Sequence, residues 1–396
     1  MNVILFDDYS RNDLLPFTFT KPVSEIRIGI LTITEKWKYF LNTDVSFHTQ
    51  DFLSVKYKKQ TALENMYING KICPNQELVN VILNLEMNSA IKSGNDLIAF
   101  KTSESNQIDF EQLLSKAIDI PENHIALKNV WDIFSKNSEA LNIDFECLTK
   151  GKLSQELSST NKLIGDKQQL FIEAGAIVEA SILNVTTGPI YIGRNAEVME
   201  GSIIRGPFSL GDHATLKLGT KIYGATTIGP HCKVGGEVNN SVIFGFTNKA
   251  HDGFLGNSVI GEWCNLGADT NTSNLKNNYS SVKVFNYASE TTKDTQLQFC
   301  GLMMADHSKC GINTMFNTGT VVGVATNIFG AEFPPTHIPS FTWGGAANME
   351  TYQLEKMFET ANRVYARRGI EMTADEKNIL TYVFNSTAPF RKWKNH

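Results

Sequence analysis

What this 396-residue chain lacks narrows it before any motif is read. Charged residues make up only 19% and the formal net charge is −5, so there is no broad basic surface of the kind general nucleic-acid binders use to displace counterions. A local basic pocket for phosphate remains compatible with that balance. No low-complexity segment interrupts the 42% of hydrophobic residues, which is an ordinary soluble composition. The six cysteines (Cys73, Cys147, Cys232, Cys264, Cys300, Cys310) contain no CxxC pair. Four of them fall among the repeats described below, where a small buried thiol is the expected role, so they read as reduced. Met1 runs straight into NVILF and then Asp7 and Asp8, with no apolar leader core and no stretch long enough to span a bilayer. The expectation is a cytoplasmic protein with no membrane partner and two or three domains.

What is present is a period of six. Residues 192–239 divide into IGRNAE, VMEGSI, IRGPFS, LGDHAT, LKLGTK, IYGATT, IGPHCK and VGGEVN. Every block opens with Ile, Leu or Val, from Ile192 to Val234, and Gly175, Gly193, Gly211 and Gly229 recur every eighteen residues. Six does not keep one face of a 3.6-residue helix, so no helix explains the pattern. It is the signature of a parallel β-helix in which three blocks make one triangular coil, apolar residues point inward, and glycines relax the corners. The competing reading is a run of short antiparallel strands with Gly turns. The phase breaks near Asn240-Ser241 and resumes at Ile260-Gly261 and Leu266-Gly267. A polar stretch from Asn271 to about Asp294 interrupts it again before Cys300-Gly301. A segment that polar is expected to protrude as a loop.

The flanks read differently. Asn2–Phe6 is a short buried strand, followed by helical patterns at GILTITEKWKYF, Glu77–Met87 and Phe110–Ile118 and a strand at Asp96–Lys101. This alternation predicts a small α/β domain over 1–130 with a mostly parallel sheet. One or two connecting helices are expected over 131–162, coils over 163–345, and a helical tail over 346–396 that caps the last coil and blocks edge growth. Arg367 and Arg368 end the first tail helix, where they favour its macrodipole or, alternatively, meet a CoA phosphate.

The run LLPFTFTKPVSEIRIG after the first strand resembles the start of sugar-1-phosphate nucleotidyltransferases, where a segment L-x-P-L-T-x-x-x-P-K follows strand one. That resemblance implies a truncated Rossmann-type sheet. The family's G-G-x-G-T-R loop is absent, and FDDYSRNDLLPF stands in its place, with Arg11 able to supply the cation. Asp7 and Asp8 are candidates for Mg²⁺, which favours one or two carboxylates plus substrate phosphates; a solvated strand-end turn is the alternative. Lys21 and Arg27 are candidates for phosphate.

Further along, Thr247-Asn248-Lys249-Ala250-His251-Asp252-Gly253-Phe254-Leu255-Gly256 leads to Ile260-Gly261-Glu262-Trp263-Cys264-Asn265-Leu266-Gly267-Ala268 and Thr272-Ser273-Asn274. This succession resembles the acetyltransferase half of the bifunctional enzymes that make UDP-N-acetylglucosamine from glucosamine-1-phosphate, with K-A-G-H-L-T-Y-L-G-D before I-G-x-x-x-N-I-G-A-G-T-x-x-x-N-Y. The resemblance implies a left-handed β-helix, His251 as general base, Asn265 and Asn274 on the substrate, and Gly267 and Ala268 on acetyl-CoA. Phe254 and Leu275 replace two tyrosines, Lys221 falls on a phosphate-binding arginine, and Asn239 falls on a lysine. The chemistry suits the residues, since imidazole can take an amine's proton and backbone N–H groups at coil edges can hold an oxyanion. The other seven histidines read as structural.

The resemblance therefore implies a homotrimer that binds sugar phosphate, nucleoside triphosphate and acetyl-CoA. Mg²⁺-dependent nucleotidyl transfer would occur in front and N-acetyl transfer in the coils. Two alternatives are a thymidylyltransferase-like enzyme whose coils only oligomerise, and a non-catalytic scaffold.

Overall fold

The structure, a computed structural model, describes residues 2–103 and 108–392; the last four residues of the expected tail lie outside them. The chain divides into two units. The first holds Met1–Leu14, Thr20–Ile26 and Leu31–Lys128, and the second holds Leu15–Phe19, Arg27–Ile30 and Asn129–His396.

In the first unit, β1 (Asn2–Phe6), β2 (Val45–His48), β3 (Asn65–Asn69), β4 (Ala90–Ser93), β5 (Asp96–Thr102) and β6 (Ile118–Asp119) form one sheet in the order β2-β1-β3-β5-β4-β6. β1 pairs in parallel with β2 and β3, and β4 with β6, but β5 runs antiparallel to both β3 and β4. The sheet is mixed rather than mostly parallel. The cause is local: Gly94, at φ +57°, and Asn95 form a two-residue turn that folds β5 straight back on β4. The helix Ile33–Leu41 starts at a Thr32/Glu35 capping box, and Asn75 caps Gln76–Leu83 through the Leu78 N–H at 2.8 Å. Phe6, Tyr67, Phe100 and Phe110 pack one face of the sheet, with Tyr67 and Phe100 stacked at 4.6 Å.

The second unit is a parallel β-solenoid preceded by two short helices, Asp132–Ser135 and Asn137–Thr149. Among the described residues its coil strands form sheets of 6, 9 and 10, and Asn271–Thr272 pairs separately with Met315–Phe316. Residues of successive coils stack in register, as in Ile172↔Ile192↔Leu210↔Ile228 and Val178↔Val198↔Leu216↔Val234. These columns are the core, and each buried branched side chain contributes on the order of 1.5–3 kcal/mol. The phase break near Asn240 has a structural cause. The coils just before it advance eighteen residues per turn, as from Leu210 to Ile228, but Lys221 pairs with Glu237 after sixteen and Val234 with Lys249 after fifteen, two residues having been lost at the Gly235-Gly236 corner and one more before Val242.

The polar interruption does not form a plain loop. It leaves the coil after Asn274 and returns at Cys300, whose N–H bonds Asn274 O at 2.9 Å, so its two ends meet. Between them Lys283–Asn286 and Thr291–Asp294 form an antiparallel hairpin anchored by buried Val282, Val284 and Tyr287. The tail is helical, and its two helices divide the contacts between them. Its first helix, Leu354–Ala366, lies along a corner of the stack, with Tyr365 on Trp263 at 4.1 Å. Contact with the last coil falls to the second helix, Ala374–Ser386, through Phe384 on Phe341 at 5.0 Å. No helix among the described residues is long and apolar enough to cross a membrane.

Candidate functional site

A groove of about 620 Å³ runs along one face of the coils. Its floor is an outward row that pairs from coil to coil, Lys233↔Asn248↔Asn265↔Lys309. On one side stand Phe246 and Trp263 with Val364, Arg367 and Arg368 of the tail; on the other stand Ala250, His251, Gly267, Ala268 and Ile312. Phe246 and Trp263 occupy corner positions at φ near +60° and belong to a column of rings, His231–Phe246–Trp263–Tyr365, spaced 4.1–4.8 Å apart. Stacking Tyr365 into that column fixes the tail helix against the groove.

That helix ends in a Schellman motif. Gly369, at φ +67°, donates to Ala366 O (3.0 Å), and Ile370 donates to Tyr365 O (3.2 Å). Arg367 and Arg368, just before that turn, line the groove, and Arg368 Nη2 donates to His231 O at 3.0 Å. Lys309 Nζ donates to His307 O at 2.9 Å, and burial pushes this amine down from its ordinary value. Four cations line the groove and no carboxylate does.

His251 is exposed at the tip of the corner Ala250–Gly253. The shortened corner beneath makes this possible. A Cβ on Gly236, at φ +75°, would lie 2.9 Å from Asp252 Cα and 3.0 Å from His251 O, so only glycine lets the upper corner settle there.

Four of the expected residues, His251, Asn265, Gly267 and Ala268, share this groove. The other four in the coils lie on the neighbouring face. Lys221 stands in the row Lys221↔Glu237↔Phe254, and Asn239 in the row Tyr223↔Asn239↔Gly256. Asn274 Nδ2 donates to Asn257 Oδ1 at 2.8 Å, and its side chain crowds Gly256 together with the Phe254 ring. Two residues on this face escaped the sequence reading: Tyr223 donates to Glu237 Oε1 at 2.6 Å, and burial with that carboxylate pushes the phenol up to about 12.

In the first unit, Asp7, Asp8 and Arg11 gather at the C-terminal end of β1. Asp7 accepts from Val23 N–H (3.0 Å) and Thr49 Oγ1 (2.6 Å) and lies 3.7 Å from Arg11 Nε; burial raises its carboxyl despite these partners. Asp8 accepts from Ser10 and from Asn69 Nδ2 (2.8 Å), and Lys71 Nζ stands 3.3 Å away. Lys71, 3% exposed, also meets Asp96 at 2.8 Å, and Lys128 meets Asp96 at 3.2 Å. Burial works to raise Asp96, but bonds from these two lysines hold it below the ordinary carboxylate range. Protein donors thus already surround the oxygens of Asp7 and Asp8, and a magnesium ion held there with substrate phosphates would have to displace some of them. Lys21 is buried in the first unit, 3% exposed. Arg27 belongs to the second, where its guanidinium donates to Ile30 O. The role of Lys71 was invisible in sequence because Asp96 lies 25 residues away and Ser10, which also accepts from its Nζ at 2.8 Å, lies 61 away.

The family described as sugar nucleotidyl transferase matches residues 3–153. Among curated relatives, the bifunctional protein GlmU of Methanococcus maripaludis strain C5 is 28% identical over 248 residues, 58% of this chain and 51% of its own. The protein of that name from Methanocaldococcus jannaschii is 38% identical over 87 residues, 22% of this chain and 21% of its own. The chain spans about half the length, or less, of these relatives. Among solved structures, the polySia specific acetyltransferase NeuO shares 14% identity and a TM-score of 0.27, covering 58% of this chain and 95% of its own.

Proposed function

We propose that the chain is a divergent GlmU-like protein whose coils transfer an acetyl group from acetyl-CoA to the amine of an amino-sugar phosphate in sugar-nucleotide biosynthesis. The observation that carries this reading is the meeting of His251 with a groove in which Lys and Arg, and no carboxylate, supply the charged lining. Lys233, Lys309, Arg367 and Arg368 suit the phosphates of the donor, and Arg is the better fork for them. Asn248 and Asn265 offer amide partners along the floor, while Gly267 and Ala268 leave room for a slender thioester arm. His251 takes the proton that the amine loses as the C–N bond forms, and returns it to the thiolate as the C–S bond breaks. Lys221, Asn239, Phe254 and Asn274 on the adjoining face are then the acceptor's residues. Tyr223 offers there a hydroxyl of the kind that the phenylalanine at 254 lacks. The test is acyl transfer by purified protein from acetyl-CoA to glucosamine 1-phosphate, with His251→Ala as control. Transfer that survives this substitution sinks the reading.

The resemblance also implies a homotrimer. Ile182 and Ile203 are exposed side by side on one coil face, as a packed neighbour would require, and light scattering decides. A second reading, nucleotidyl transfer by the first unit with coils that only oligomerise, is supported by the match over residues 3–153. Assays with UTP or dTTP and a sugar phosphate, with and without acetyl-CoA, separate the two. A scaffold without catalysis predicts no heat on titration with acetyl-CoA.

A further inference from the structure

One lysine stands inside the solenoid. Lys249 occupies an inward column between Val234 and Leu266, with Cys310 one coil beyond, and is 2% exposed. Placing an amine among apolar side chains costs free energy that a methionine of similar volume would not incur. The bonds it makes say what the amine does there. Its Nζ donates to His251 O at 2.7 Å and to Gly235 O at 2.9 Å. One carbonyl belongs to the exposed histidine's own residue, the other to the shortened corner beneath it. The amine therefore ties two successive corners together from within the core, where Gly235 and Gly236 have let them come close.

We infer that Lys249 is a positioning residue for His251, fixing the corner Ala250–Gly253 so that the imidazole is held at the groove. The inference rests on the acyl-transfer reading above. Lys249 touches neither donor nor acceptor; it acts through the main chain of residue 251. A corner whose carbonyl lost that tether would move by a fraction of an ångström or more, and a general base displaced by about 1 Å loses on the order of 100-fold in rate.

The experiment compares the full chain with Lys249→Met, Lys249→Gln and His251→Ala, using acetyl-CoA and glucosamine 1-phosphate as substrates. Lys249→Met is expected to melt no lower than wild type, because an apolar side chain fills the column. It should keep its KM for acetyl-CoA within about twofold and lose roughly 100-fold in kcat. Amide hydrogen exchange over residues 250–254 should quicken while the coils on either side stay protected. Glutamine, which can still donate to a carbonyl, should restore part of kcat. If Lys249→Met does not fold, the glutamine variant carries the test by its own loss of kcat at unchanged KM. Lys249→Met turning over within about threefold of wild type, while His251→Ala is inactive, overturns the inference and leaves the acyl-transfer reading standing. A wild-type protein with no transfer overturns both.

Discussion

The two units handle charge in opposite ways. At the end of β1 each carboxylate has a cation within the same unit, Arg11 for Asp7 and Lys71 for Asp8, with Lys71 and Lys128 sharing Asp96. Along the coils, Lys233, Lys309, Arg367 and Arg368 gather in one groove with no carboxylate among its lining residues. A cluster that balances itself has little to gain from an ion or a phosphate, because each oxygen given to a ligand is taken from a partner. A groove of one sign is unfinished until an anion fills it. On the acyl-transfer reading proposed above, the groove of the second unit is the one left open to an anion, while the charges at the end of β1 fasten one another, although both stretches read as phosphate sites in sequence.

The most severe test of the contrast is His251→Ala, expected to lower kcat for acyl transfer by about 1000-fold with the melting temperature unchanged. Next comes Lys71→Met. Two carboxylates would lose their shared cation, and urea unfolding of the first unit should show a loss of about 3 kcal/mol at neutral pH, with acetyl-CoA affinity untouched. Asp96 sharpens this further. Its folded pKa lies below the ordinary value, so its contribution is present above about pH 4 and is lost as acid carries it through the folded pKa. That acid-side fall should be shallower in Lys71→Met. A smaller effect is expected for Arg367→Ala, which should raise KM for acetyl-CoA about fivefold, the more so at low salt, and leave kcat alone. The smallest concerns Lys249, whose amine burial pushes down to about 8, with Asp252, Cys310 and Asp269 acting against that shift. The unfolded chain then binds more protons between about pH 8 and 10, so wild type gains stability across that window. Any advantage of Lys249→Met in melting temperature should be largest below pH 8 and should shrink above it.

The coils were legible because their cause is local and periodic. An apolar residue every six positions is needed wherever the chain turns an inward face, and Ile192 through Val234 obey it. The groove residues His251, Asn265, Gly267 and Ala268 were reached through the resemblance of their segment to the acetyltransferase family, since the period itself breaks near Asn240. What could not be read depended on partners far along the chain. Lys71 meets its carboxylates only after folding, and the buried side of the hairpin, Val282 and Val284, is hidden in a polar stretch. Lys249 was obscured by the shortened corner at Gly235-Gly236, which moved a lysine into a core column just where the six-residue frame was lost. The tail helix was legible as a helix, but its place beside the groove was set by one aromatic contact, Tyr365 on Trp263.

The excursion between Asn274 and Cys300 begins and ends on adjoining atoms of the coil it interrupts. Below it Val238 stacks with Leu255, and above it Met304 stacks with Val322, neither pairing depending on how much chain lies between. The prism is thus punctuated there by a natural splice point: segments of other lengths can be exchanged at that rung, and the stack on both sides closes as before.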